Sequence, residues 1–168
     1  MMSEVEQQVR VSYEQALRVI GRFLDAEPTY HLSVVEVADG FTVRSQSSRF
    51  KSDGRTVQFT WDRLNDLLVY HTAGRGLNRR HHRHRGIWAD FPNGHEDFFR
   101  ALGFNLDNES AGSLTVDEVP EGVTVSYLRP DVSGSGGSEF ETCHTVMRKA
   151  EIQKLLEAAQ ARREAGQT

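Results

Sequence analysis

Cysteine is almost missing from this chain: Cys143 is the one thiol in 168 residues. A lone thiol closes no internal disulfide and builds no zinc knuckle, so stability must come from a hydrophobic core. A reducing cytoplasm is the expected setting. Long apolar runs are missing as well. None approaches the roughly 20 residues that cross a bilayer, so no membrane span is expected. The opening MMSEVEQQVR is polar and lacks the apolar stretch of a secretory signal. Neither a phosphate-cradling glycine loop, nor HExxH, nor a calcium-binding loop occurs. SGSGGS at 133–138 has no lysine after it and reads as a flexible hairpin tip, while the C-terminal EAAQARREAGQT reads as a fraying helix end. No cofactor fingerprint is present, and none is expected to bind. With 38% hydrophobic and 26% charged residues, the chain is polar but not of disordered composition. Its length suits one domain or two small ones.

What the chain does have is a repeat. Laid over 95–128 without a gap, residues 13–46 match at 13 of 34 positions, where roughly two or three matches arise by chance. The matches include Glu14/Glu96, Arg18/Arg100, Gly21/Gly103, Leu24/Leu106, Asp25/Asp107, Glu27/Glu109, Glu36/Glu118 and Gly40/Gly122. Thr60 and Arg63 match Thr145 and Arg148 at an offset three larger, which puts the extra residues at 133–138.

Each copy reads as helix, hairpin, third strand, helix. Tyr13, Ala16, Leu17, Ile20, Phe23 and Leu24 recur at helical spacing, behind a Ser12/Gln15 capping box. In the second copy Phe98, Phe99 and Leu102 form the apolar face, and Asn93 and Glu96 are candidate caps. Gly103 is expected to end its helix as a left-handed cap; Gly21 either does the same, the favoured reading, or lies inside a helix that runs to Leu24. LSVVEV and FTVRSQ flank Ala38-Asp39-Gly40; LTVDEV and VTVSYL flank Pro120-Glu121-Gly122. Both turns predict a positive φ at the glycine. TVQFTW and FETCHTV supply third strands. Second helices are expected near 62–70 and 147–163. The fold class is therefore α+β: an internally duplicated α-β-β-β-α unit, with an antiparallel sheet of about six strands and helices on one face. The repeats span 12–74 and 93–163, joined by a connector at 75–92, and together form one compact domain. Whether the two sheets join edge to edge or stack stays open. Leu32, Val34, Phe41, Val43, Leu114, Val116, Val123 and Val125 should face the core. Thr42, Arg44, Gln46, Thr124 and Ser126 should face away.

The connector concentrates charge. Arg75, Arg79, Arg80, Arg83 and Arg85, with His81, His82 and His84, stand in eleven residues without an acid. The rest of the chain keeps 15 basic against 24 acidic residues. Arginine forks bidentately onto phosphate, and the histidines add charge below about pH 6.5. Trp88 and Phe91 follow as platforms for stacking on bases. A nucleic acid or another polyanion is the candidate partner. The rival readings are a solvated linker, and pairing with carboxylates of this chain, of a protein partner or of a twin in a homodimer. His81, His82, His84 and His95 also have metal-ligating chemistry, but the neighbouring arginines oppose a dication, and no metal site is assigned.

Other groups have structural explanations beside chemical ones. Cys143 and His144 are adjacent, so in a strand they point to opposite faces and make a poor nucleophile and base. Glu36 and Glu118 are candidates for acid–base work, or for partners of water and arginine at the sheet's end. Glu14 with Arg18, and Glu96 with Arg100, are spaced as i,i+4 pairs. Asp25-x-Glu27 and Asp107-x-Glu109 read as solvated loops. The sequence favours a non-enzymatic binding or regulatory module acting through the arginine-rich connector. A protein–protein adaptor, and a small enzyme with a His/Glu site between the repeats, are the alternatives.

Overall fold

The structure, a computed structural model, describes residues 11–26, 31–46, 54–72, 88, 91, 94–131 and 139–166. The elements run α1 (Tyr13–Asp25), β1 (His31–Val37), β2 (Gly40–Gln46), β3 (Gly54–Thr60) and α2 (Trp61–Thr72). They continue with α3 (Gly94–Asn108), β4 (Gly112–Val119), β5 (Gly122–Pro130), β6 (Phe140–Arg148) and α4 (Lys149–Glu164). One antiparallel sheet results, in the order β3-β2-β1-β4-β5-β6. Two three-stranded units therefore join edge to edge into one sheet. The seam pairs Val34 with Val116, flanked by Ser33 with Asp117 and Val35 with Thr115. Among the described residues no helix is long and apolar enough to cross a membrane.

Period-2 alternation decides which face is buried. The eight residues expected in the core, Leu32 to Val125, are all buried, and α1 and α3 lie over them with Leu17, Ile20, Leu24, Phe98, Phe99 and Leu106. The other face, with Thr42, Arg44, Gln46, Thr124 and Ser126, is half-buried to exposed.

The ladders correct the alignment of the third strands. Phe59 pairs with Phe41, and Met147 with Val123. On that register Phe59 corresponds to Met147 and Val57 to Thr145, so the second half carries six extra residues there and Thr60 does not correspond to Thr145.

Two glycine expectations also need correcting. Gly40 has φ 155°, but Gly122 is not in the positive-φ region. What both positions share is crowding. A Cβ would sit 1.9 Å from the Phe59 carbonyl oxygen at Gly40, and 2.0 Å from that of Met147 at Gly122. The neighbouring strand, more than the turn, forbids a side chain. Gly21 and Gly103 end no helix: both lie inside one, where α1 and α3 touch. A Cβ on Gly21 would lie 2.7 Å from the Glu96 Cα, and one on Gly103 would lie 2.6 Å from the Glu14 Cα. Backbone cannot yield as a side-chain tip can. Gly103→Ala should therefore cost about 2 kcal/mol net, although alanine favours a helix by about 1 kcal/mol over glycine. Urea denaturation checks this, and a stabilised variant would refute the close approach.

Candidate functional site

The antiparallel α1–α3 pair absorbs most of the charged residues matched between the halves. A helix start leaves backbone N–H groups without partners. In α1, Ser12 Oγ accepts the Gln15 N–H at 3.2 Å, and Gln15 returns a bond to the Ser12 N–H, as the capping box predicts. The remaining two are closed from the other half, where the Asp107 carboxylate accepts the Tyr13 N–H at 2.9 Å and the Glu14 N–H at 3.1 Å. Asp25 does the same for α3, accepting the N–H groups of His95 and Glu96, both at 2.9 Å. Asp25 and Asp107 are thus caps and not solvated loop residues. The glutamates pair across the helices and not along them: Glu96 with Arg22 at 2.9 Å and Arg18 at 3.5 Å, and Glu14 with Arg100 at 3.5 Å. The i,i+4 reading is replaced by an interhelical one.

The acid–base candidates sit at this same junction. His95 is fully buried, with Nδ1 3.1 Å from Asp25 Oδ1. Glu36 accepts the Tyr13 hydroxyl at 2.5 Å and the Leu114 N–H at 3.0 Å, so it ties α1 to β4. Glu118 holds the matching place, but the position equivalent to Tyr13 is His95, whose ring turns to Asp25. Trp88 stands near Glu118 instead. Glu118 Oε1 and Trp88 Nε1 are buried without completing a hydrogen bond among the described residues. Burial pushes the Glu118 carboxyl up to about 7, against the smaller opposing pulls of the Trp88 indole and the Leu32 backbone.

Of the residues expected to bind an anion, Arg75, Arg79, Arg80, His81, His82, Arg83, His84 and Arg85 lie outside the described residues. Trp88 is described, and it belongs to the core. It is 1% exposed, with ring centroids 4.5 Å from His95 and 5.3 Å from Phe98. Phe91 lies beside it, also buried. Neither ring offers a face to a base. On the sheet face opposite the helices His144 Nδ1 lies 2.6 Å from Ser126 Oγ. Cys143 stands opposite Tyr127, on the other side of β6, as strand alternation requires.

Sequence reasoning missed a cleft of about 310 Å³ between α3, β5, β6 and α4. Leu102, Leu106, Val125, Met147 and Leu155 form its apolar floor, and Asn105, Asn108, Glu109, Tyr127 and Thr145 its polar side. The corresponding place in the first half is filled. There Phe23 meets Phe59 edge to face at 5.2 Å, and the Arg55 guanidinium covers Phe23 at 5.2 Å. In the second half Asn105 replaces Phe23, Met147 replaces Phe59, Thr145 replaces Val57 and Cys143 replaces Arg55. Each of these residues is smaller or more polar than its aligned counterpart, and the space between them is open. At one end Glu109 accepts the Tyr127 hydroxyl and a bond from Arg129 at 2.9 Å, and Arg129 also holds Glu141 at 2.5 Å. Burial, then the Glu109 carboxylate, pushes the Tyr127 hydroxyl pKa upward, so it stays a donor at neutral pH. The signal that could have exposed the cleft was Phe23 aligned with Asn105. Comparison with family models, with curated proteins and with solved structures gives no match to this chain.

Proposed function

We propose that this protein is a non-enzymatic binding module that engages a polyanion, nucleic acid foremost, through Arg75–Arg85, in the reducing cytoplasm that its lone thiol suits. The segregation of charge carries this reading: five arginines and three histidines without an acid, on a chain otherwise rich in carboxylates. The packing adds support. The rival reading needs carboxylates to neutralise the arm, yet Glu14, Glu36, Glu96, Asp107, Glu109 and Glu141 already hold partners inside the fold. Asp25 does too, and is fully buried. Counterion release on a phosphate backbone is the favourable outlet for a segment of this charge.

Binding to duplex DNA should weaken with salt at a log–log slope of roughly -3.6 if about four phosphates are engaged. It should tighten below about pH 6.5 as the histidines gain charge. The test compares wild type with a variant in which Arg79, Arg80, Arg83 and Arg85 are all changed to Gln. Salt-insensitive or equal binding in both would leave the arm a connector, or the contact of a protein partner or twin.

A further inference from the structure

We propose that the cleft of the second half binds an arylalkylamine: a small molecule carrying one aromatic ring and, a few bonds away, an ammonium group. The first half supplies the template. Its equivalent space holds an aromatic ring, Phe23, with a cation over it, Arg55. The second half has no ring at the places of Phe23 and Phe59 and no cation at the place of Arg55, while Tyr127 stands where the first half has Ser45. A volume of about 310 Å³ accommodates one substituted ring and stands at the lower end of small-ligand sites. Leu102, Leu106, Val125 and Met147 give the ring an apolar floor.

The charge at the mouth selects the second group. Glu109 is the one charged side chain among the described residues lining the cleft. Its neighbours Arg129 and Glu141 complete a set of two acids and one base, so one negative charge is left over. Each Glu109 oxygen already accepts one bond, from Arg129 or from Tyr127, and a carboxylate oxygen has room for another. Asn105 and Asn108 add amide oxygens that also accept from an ammonium. A ring with a carboxylate tail would meet the same acid and be repelled.

The test is an NMR titration of the full chain with phenethylamine and with 3-phenylpropionate, which share a ring and differ in charge. Phenethylamine should cause saturable shifts in the methyls of Leu102, Leu106, Val125 and Met147. It should bind at least about tenfold tighter than 3-phenylpropionate, the equivalent of about 1.4 kcal/mol. Asn105→Phe returns the first half's plug and should abolish the shifts, and Thr145→Phe plugs the cleft from the strand side should the helix variant fold poorly. Glu109→Gln should erase the preference for the amine while the ring still binds. Shifts that do not saturate, that persist in a folded plugged variant, or that are as strong with 3-phenylpropionate would overturn the proposal.

Discussion

Asp25→Ala should cost about 3–5 kcal/mol, while Asp107→Ala, the same exchange at the matching position, should cost about 1 kcal/mol. Both aspartates close two backbone N–H groups at a helix start. They differ in what surrounds them. Asp25 is 0% exposed and also holds the buried His95 ring, whereas Asp107 is exposed. Removing Asp25 strands donors where water cannot replace the carboxylate, at about 1–3 kcal/mol each. Removing Asp107 lets water take over, and only the ordinary value of a lost cap is felt. Urea denaturation of the two variants side by side measures the contrast. Equal losses would mean that water reaches the start of α3.

Glu118→Gln should stabilise the protein at pH 8 by up to about 3 kcal/mol and flatten its stability between pH 4.5 and 7. In the fold this carboxyl titrates near 7, against an ordinary value of 4.5. Between those values the folded chain keeps a proton that the unfolded chain has released. Folding is then favoured by acid, and the advantage is lost as pH rises through 7. The gap between the two values corresponds to about 3 kcal/mol. An amide of the same shape carries no charge to desolvate at any pH. Thermal or urea unfolding of both proteins across this range checks it; parallel curves would show that Glu118 ionises in the fold as freely as in water.

The strands were legible because alternation is a direct record of which side meets the core. Leu32, Val34, Phe41 and Val43 announce their face, and their partners 82 residues on repeat the announcement. The helix pair was not legible. Gly21 and Asp25 have local readings, a cap and a loop residue, that are sound for an isolated helix. They fail because the true partners, Glu96 and the α3 start, lie some 70 residues away. Glu14 and Arg18 show the same limit, since spacing along one helix cannot reveal a partner on another. Trp88 was misplaced for a related reason: its basic neighbours suggested a surface, while its own bulk belongs to the core. The cleft is a subtler case. It is written in differences between aligned residues, Phe23 against Asn105 and Phe59 against Met147, and a repeat is recognised by its identities.

The seam through Val34 and Val116 bears on how the chain assembles in time. Neither α1 nor α3 has a finished start until the other half is present, and β1 and β4 each lack a neighbour until they meet. During synthesis the first half must wait, with its edge strand open, for residues not yet made. Contacts so distant along the chain make for slow closure. Meanwhile the waiting half carries the Gly21, Asp25, Glu14 and Arg18 set that its true partner also carries. A second nascent copy therefore offers an almost equivalent counterpart, and the commonest error expected in crowded folding is exchange of halves between two chains.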